Sequence, residues 1–97
     1  YEIIRGNQKM NRKNLEKLLK AVANKRRLAI LNYLAKGKEA NVGDIAEHIN
    51  LSFKSTSRHL STLIAVDLLD REQRSLEVFY RLSKNLPDVV KTIMRHL

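Results

Sequence analysis

The sequence contains no cysteine and no tryptophan, and only one proline and three glycines, among its 97 residues. The absence of cysteine excludes disulfides, thiolate metal sites, cysteine catalysis and thiol redox sensing within this chain. Aromatic residues make up 5% of the sequence and hydrophobic residues 43%. The core is therefore aliphatic, which suits packed helices better than an aromatic-rich β-sandwich. A chain of this length builds one modest core, so we expect a single domain over residues 1–97.

Long hydrophobic runs are also missing. No apolar run is longer than four residues, and the first twenty residues carry six Lys or Arg side chains without an apolar segment. A membrane-spanning helix needs about 20 apolar residues, and a secretory signal needs an apolar stretch of its own. We therefore expect a cytoplasmic protein without a membrane partner.

Negative charge is scarce in the first part of the chain. Nineteen Lys and Arg residues against ten Asp and Glu residues give a formal net charge of +9, and all of this excess lies within residues 1–38. Nucleic acid is the commonest anionic partner of a soluble basic domain. A solvated basic surface without a partner has the same composition, so charge alone leaves both alternatives open.

Hydrophobic spacing predicts four helices in the first two thirds of the chain. Apolar residues recur at i, i+3, i+4 and i+7 in a first helix over 12–23 and in a short third helix that starts after residue 41. The second helix is apolar on more than one side and is expected to be central. A fourth helix over 52–66 follows the third after a two-residue turn, which predicts a helix-turn-helix. The residues placed to cap these helices are Asn11, Asn24, Asn41 and Ser52.

The hydrophobic period changes from 3.6 to 2 after residue 68. Val78, Tyr80 and Leu82 alternate with other side chains and predict a strand, while a shorter strand is expected over 69–71, with residues 72–75 between the two. Pro87 suits the first turn of a last helix, whose apolar face continues to the final residue. The predicted fold class is mainly α with a small β-hairpin, and its order of four helices, two strands and a fifth helix is that of a winged helix-turn-helix.

The fourth predicted helix has an outward face that is small, hydroxylated and cationic. On a helical wheel, Lys54 and Arg58 lie nearly opposite the apolar side. Ser and Thr are poor helix formers, so their number here needs a positive reason. Lying in a DNA major groove supplies one, because small side chains allow close approach and Arg pairs with guanine. A plain solvated helix is the alternative, and the preceding turn and the following hairpin disfavour it. The DNA contacts expected on this helix are Lys54, Ser55, Ser57, Arg58, His59, Ser61 and Thr62.

Two further groups of cations are candidates for DNA contact. Arg71 and Arg74 lie near the hairpin turn, where they can reach the minor groove or phosphates, although Glu72 between them weakens the electrostatic case. Lys25 and Arg26 begin a cluster of three cations at the start of the second helix, where the helix dipole disfavours positive charge. Phosphate contact explains this placement, and pairing with nearby carboxylates explains it nearly as well.

Four segments, in the right order, resemble the ArsR/SmtB family of winged-helix repressors over residues 12–97. Segment 51–69, LSFKSTSRHLSTLIAVDLL, is similar to the family's recognition helix, and 78–83, VFYRLS, to its second wing strand. Segments 23–34, ANKRRLAILNYL, and 42–52, VGDIAEHINLS, resemble its second and third helices. The resemblance implies a homodimer that binds a palindromic operator in double-stranded DNA, with Ser55, Ser57, Arg58 and His59 in the reading helix.

The resemblance also implies that the first and last helices form the dimer. The last helix has an apolar stripe that must be buried against another surface. The candidate for that surface is the first helix of the same or another subunit. The residues expected at this interface are Leu15, Leu18, Leu19, Val89, Val90, Ile93, Met94 and Leu97.

Two departures from the family pattern concern the wing and the effector sites. Asp67 stands where the family usually has Gly before the wing, and the wing tip has no Gly. The family's metal-binding cysteines in the third helix fall at Asn41 and Gly43, which do not bind soft metals. In the last helix, Val90 stands two residues after Asp88, at the position where the family's metal site has a histidine. We therefore expect no metal and no cofactor, and the sequence indicates no effector.

The sequence shows no signature of catalysis. It contains no nucleophile and base constellation, no Gly-rich phosphate loop and no paired-carboxylate motif, so we expect no enzymatic activity. Winged helices also serve as protein-assembly modules, which is the main alternative to DNA reading. Those modules usually lose the outward cations of the second helix of the helix-turn-helix, whereas Lys54 and Arg58 are present here. The sequence therefore favours a DNA-binding transcriptional regulator.

Overall fold

The computed structural model describes residues 10–37 and 39–97, and within them it contains five helices and one antiparallel sheet of three strands. In chain order the elements are α1 (Arg12–Val22), α2 (Lys25–Gly37), β1 (Glu39–Asn41), α3 (Val42–Ile49), α4 (Phe53–Ala65), β2 (Leu69–Arg74), β3 (Glu77–Leu82) and α5 (Asp88–Met94). The strand order in the sheet is β1-β3-β2. The predicted winged helix-turn-helix is confirmed, since four helices precede the β2-β3 hairpin and one helix follows it.

Short polar side chains start the first four helices, as the sequence predicts. In each case a side-chain oxygen accepts a hydrogen bond from a backbone N–H of the first turn, which otherwise has no partner within the helix. The pairs of acceptor and donor residues are Asn11 with Asn14 (2.8 Å), Asn24 with Arg26 (2.9 Å), Asn41 with Asp44 (2.8 Å) and Ser52 with Ser55 (3.1 Å).

Helix α2 is the centre of the core, as expected from its apolar residues on several sides. Its Ile30 and Leu31 are fully buried, and it packs against the other four helices and against β1 and β3. Leu60 and Leu63 of α4 and Ile45 of α3 are fully buried in the same core. Because each such side chain stabilises the fold by about 1.5–3 kcal/mol relative to exposure, the core fixes α3 and α4 against α2.

Helices α3 and α4 both end in a Schellman motif. Asn50 (φ 56°) and Asp67 (φ 61°) lie in the left-handed region after these helices. After α4, the N–H of Asp67 bonds to the carbonyl of Ile64 and the N–H of Leu68 to that of Leu63, at 2.9 and 3.1 Å. This is the 5→2 and 6→1 pattern of the motif. Asp67 therefore takes the conformation that glycine favours. The turn from α4 into the β2-β3 hairpin, which is the wing, is made without glycine.

The sheet differs from the sequence prediction in two ways. β2 continues to Arg74, and the loop is Ser75-Leu76 rather than residues 72–75. Strand β1 was not predicted, because three residues are too few to show an alternation; its Ala40 pairs with Tyr80 of β3. Charged side chains of the predicted loop pair across the exposed face of the sheet, and such pairs stabilise a strand where its sequence looks like a loop.

Helix α5 is shorter and better covered than the sequence predicts. It ends at Met94, and Pro87 is its N-cap rather than a residue of its first turn. Val90 is fully buried in a helix that packs on α2, so α2 of the same chain, rather than the expected first helix, helps to cover the apolar stripe at that position. Leu18 of α1 is buried as well, and both residues belong to the core of the single chain. The predicted interface residues that keep exposed or half-exposed side chains are Leu15, Leu19, Val89, Ile93, Met94 and Leu97.

Among the described residues, the helices are too short or too polar to cross a membrane.

Candidate nucleic-acid interface

Helix α4 has one buried side and one exposed side. Thr56, Leu60 and Leu63 are fully buried and anchor it to the core. Lys54 and Arg58 are exposed on the opposite side, as the helical wheel indicates, and Ser61 is exposed beside them. The predicted contact residues that are only half-exposed are Ser55, Ser57, His59 and Thr62. Among the predicted contact residues of α4, the freely accessible groups are thus two cations and a hydroxyl.

Two of the half-exposed side chains already have partners inside the protein. The Thr62 hydroxyl donates to the carbonyl oxygen of Arg58 at 3.2 Å, one helical turn earlier. The Nδ1 atom of His59 lies 3.1 Å from Nη1 of Arg27. Because a guanidinium group has no acceptor, the histidine nitrogen accepts this bond, and the neutral ring carries its hydrogen on Nε2.

The same surroundings keep His59 uncharged. Burial lowers the pKa of His59 below its ordinary value of 6.5, and the charges of Arg27 and then Arg26 lower it further. At neutral pH the positive charge of α4 therefore comes from Lys54 and Arg58. His59 presents a neutral ring.

The cations at the start of α2 bind backbone carbonyls. Nη1 of Arg26 donates to the carbonyl oxygen of Ile49 at 2.7 Å, at the end of α3. Nε of Arg27 donates to the carbonyl oxygen of Ala21, near the end of α1. The expected partners of this cluster were phosphates or carboxylates, whereas the structure places these guanidinium groups on carbonyl-rich helix ends, where a positive charge is favourable. Lys25 is exposed at the first position of α2.

In the wing, Arg74 is held by carboxylates. Its guanidinium group makes two hydrogen bonds of 2.8 Å to Glu39 and one of 3.0 Å to Glu72, and it lies 4.9 Å from the centre of the Phe79 ring. Arg81 bonds to the same Glu72 at 3.1 Å. The bonds from Arg74 and then Arg81 lower the pKa of Glu72, and the bonds to Glu39 and Glu72 raise the pKa of Arg74.

Arg71 is in a different position from Arg74. It lies in β2 with an exposed side chain, opposite Tyr80 of β3. Exposed ion pairs contribute little stability individually. The pairs around Arg74 nevertheless occupy N–H donors of its guanidinium group that DNA could otherwise use. Of the two arginines that the sequence assigned to the wing contact, Arg71 is therefore the more accessible one.

The N-terminal charge excess falls partly outside the described residues. Arg12 and Lys13 are exposed at the start of α1. Arg5, Lys9 and Lys38, which belong to the same excess, lie outside the part of the chain that the structure describes.

The positions of the family's metal ligands in α3 do not fit a metal. Oδ1 of Asn41 accepts the capping bond from Asp44, and its Nδ2 donates to Glu77 at 3.2 Å, so both ends of this amide are used. Gly43 has no side chain to offer. Across residues 10–37 and 39–97, no three His, Cys, Asp or Glu side chains form a group that could hold a metal ion.

Two exposed apolar side chains beside α4 were not identified from the sequence. Phe53, the first residue of α4, is 63% exposed, and Leu76 in the wing loop is 95% exposed. Both border a groove of about 460 Å³ between the wing and the first residues of α3 and α4. The sequence feature that indicates an exposed Phe53 is its position directly after the capping Ser52, because the first residue of a helix buries little of its side chain.

The family model and the similar proteins both identify the family that the sequence resembles. The model of the arsR family of bacterial regulatory proteins matches residues 24–71. The chain is 38% identical to the transcriptional activator HlyU of Vibrio cholerae, over 76% of this chain and 74% of that protein. It is 33% identical to the transcriptional repressor SdpR of Bacillus subtilis, over 71% of this chain and 76% of that protein. Both relatives are transcriptional regulators.

Solved structures agree with the fold. Reduced HlyU from Vibrio cholerae superposes with a TM-score of 0.74 at 36% identity, covering 90% of this chain and 87% of that one. A homodimeric winged helix-turn-helix DNA-binding domain from Mycobacterium bovis superposes with a TM-score of 0.71 at 26% identity, covering 92% and 83%.

Proposed function

Because the chain belongs to the arsR family of bacterial transcriptional regulators and carries their winged helix-turn-helix DNA-binding domain, we propose that it represses transcription as a homodimer bound to a palindromic operator. The observation that carries this proposal is the exposed side of α4. Lys54, Arg58 and Ser61 are all accessible there, on a helix whose opposite side is anchored in the core. A rigid helix with small and cationic outward side chains is what a major groove admits.

The proposed contacts divide into base reading and phosphate binding. Arg58 reads guanine, because its guanidinium fork matches the O6 and N7 acceptors of that base. Lys54 and Lys25 bind phosphates, and Arg71 reaches the flanking backbone from the wing. The half-exposed hydroxyls of Ser55 and Ser57 and the ring of His59 add hydrogen bonds at the edges of the helix.

Three residues expected at the DNA surface are already engaged in hydrogen bonds within the protein. The guanidinium groups of Arg26 and Arg74 and the hydroxyl of Thr62 already have partners within the protein. In the free protein these partners occupy part of the hydrogen-bonding capacity that each group could offer to DNA. We assign Arg26 to holding the helix-turn-helix against α2 and Arg74 to stiffening the wing.

The dimer in this proposal uses the apolar surface that the single chain leaves open. Leu19 on α1 is 39% exposed, and Val89 and Leu97 at the C-terminal end are 36% and 44% exposed. The similar Mycobacterium bovis domain is homodimeric. A two-fold dimer presents two copies of α4, which implies two inverted half-sites about 10–10.5 base pairs apart, one turn of DNA.

Selection of bound sequences from a pool of random duplexes tests this function. The expected result is one enriched inverted repeat with that spacing, bound far more tightly than random duplex at the same salt concentration. Equal binding of all duplexes, or no binding, would leave the protein-assembly alternative as the better account. The Arg58→Ala variant provides the control, because it should not enrich the same repeat.

A promoter carrying the selected repeat then decides the direction of regulation. Repression predicts lower reporter expression when the protein is present. Higher expression would instead favour activation, which is the second candidate because HlyU, at 38% identity, is a transcriptional activator.

A further inference from the structure

Phe53 is a large apolar side chain on the surface that the proposed function gives to DNA. It is the first residue of α4 and is 63% exposed, whereas the inward side of the helix is made by Thr56, Leu60 and Leu63. The other phenylalanine of the sequence, Phe79, lies under the guanidinium group of Arg74. Phe53 is thus the phenylalanine that the fold leaves accessible.

A single exposed apolar residue is ordinary, but Phe53 belongs to a larger apolar surface. It borders a groove of about 460 Å³, together with Val42, Val78, Tyr80 and the almost fully exposed Leu76. The groove also contains Glu77, whose carboxylate repels a phosphate. The lining therefore suits an uncharged apolar group better than the DNA backbone.

The neighbours of Phe53 on α4 are the proposed DNA contacts. Lys54 is next in the chain, and Ser57 lies one helical turn after Phe53 on the same face. Lys54 and Arg58, also one turn apart, form the adjacent row. Residues at the N-terminal end of a recognition helix are the ones that meet base edges. A helix placed by these cations therefore brings Phe53, at its N-terminal end, close to the base edges.

We propose that Phe53 contacts the 5-methyl group of one thymine in each half-site and thereby selects thymine at that position. A phenyl ring has no hydrogen-bonding group, and the thymine methyl is the apolar group that base pairs present in the major groove. This inference rests on the proposed function, because it requires α4 to be the reading helix.

Substitution of deoxyuridine for thymine tests the contact, because it removes the methyl group and keeps the base pair. Each thymine of the selected operator is replaced in turn, and affinity is measured for wild type, Phe53→Ala and Lys54→Ala. Wild type should lose about fourfold in affinity at one thymine per half-site, which corresponds to one buried methyl group. Phe53→Ala should bind the thymine and deoxyuridine duplexes equally. Lys54→Ala should bind both more weakly and keep the fourfold preference.

Several outcomes would overturn the inference. Wild-type binding to the operator without any deoxyuridine effect, or a Phe53→Ala variant that keeps the effect, would show that Phe53 does not read thymine while leaving the proposed function intact. A Phe53→Ala variant with unchanged DNA binding and altered sedimentation would assign the groove to a second copy of the chain. Failure of wild type to prefer any duplex would contradict both proposals. Circular dichroism melting confirms that the variants fold.

Discussion

The hydroxyl of Thr56 is buried on the core side of α4, and its oxygen has no hydrogen-bond partner among the residues that the structure describes. A buried polar group without a partner costs about 1–3 kcal/mol of desolvation. Replacing the hydroxyl with a methyl group of similar size should therefore raise the free energy of unfolding. We predict a gain of about 1 kcal/mol for Thr56→Val in urea denaturation, with unchanged DNA affinity.

Thr62→Val provides the matched control for this prediction. Thr62 is a half-exposed threonine of the same helix, and its hydroxyl bonds to the Arg58 carbonyl oxygen. The substitution should bring no gain in stability. Equal effects of the two substitutions would mean that the Thr56 hydroxyl is satisfied in solution.

His59 couples the stability of the fold to pH. Its folded pKa lies below the ordinary value of 6.5, because of burial and then of the charges on Arg27 and Arg26. As pH falls through 6.5, the unfolded chain binds a proton before the folded chain does, so stability falls until the folded pKa is passed. Denaturation between about pH 7.5 and about pH 5.5 should show this loss, and His59→Gln should reduce it. His96→Gln, at an exposed histidine, is the control; an equal reduction in that variant would contradict the assignment.

At the scale of single elements, the turn between α4 and the wing contains a residue in an unfavourable backbone conformation. Asp67 holds a left-handed backbone with φ 61°. That conformation costs a non-glycine residue roughly 1–2 kcal/mol, although Asp is among the residues that tolerate it best. Glycine removes this strain, but its greater freedom in the unfolded chain lowers the stability by about 0.5–1 kcal/mol. We predict that Asp67→Gly raises the free energy of unfolding by about 0.5 kcal/mol.

Val66→Gly controls for the effect of an added glycine at the same turn. Val66 precedes Asp67 and has φ −107°, which any residue adopts without strain. Glycine there carries the entropic cost and also loses the packing of a half-buried side chain on the core, so stability should fall. Thermal melting of the two variants should therefore shift in opposite directions, and shifts in the same direction would argue against strain at Asp67.

The elements that could be predicted from the sequence are those defined by local contacts. Asn11, Asn24, Asn41 and Ser52 bond to donors two or three residues away, so their capping role is visible in the sequence. The apolar period that predicts α1, α3 and α4 is local too. The tightly turned helix-turn-helix and the accessible cations of α4 follow from these two signals alone.

Contacts between distant residues were not predictable in the same way. The carbonyl that Arg26 binds is 23 residues further along the chain, and the carboxylate of Glu39 is 35 residues before Arg74. Because α2 meets the end of α3 only after the core forms, the sequence alone could not distinguish phosphate contact from internal pairing. Strand β1 was missed for the same reason, since its pairing with β3 supplies most of its regularity.

At the scale of the whole molecule, the open apolar surface predicts association. Leu19→Glu places a charge among exposed apolar side chains of α1, next to Leu15 and Ala23. Because Leu19 is only partly buried in the single chain, the variant should stay folded, sediment as a monomer and lose operator affinity. Leu76→Glu, at the 95% exposed wing loop, should remain dimeric. A Leu19→Glu variant that sediments with wild type would contradict the dimer surface.

The affinity of Arg58→Ala for the selected operator and for random duplex, at one fixed salt concentration, tests the central claim most directly. Arg58 is exposed, so its loss should leave circular dichroism and melting unchanged. Operator binding should weaken by about 1–3 kcal/mol with relaxed preference at one base pair per half-site, and random duplex should be much less affected. Lys36→Ala, which removes one exposed charge at the far end of α2, should leave operator preference intact. A folded Arg58→Ala variant that binds both duplexes like wild type would mean that α4 is not the helix that reads DNA.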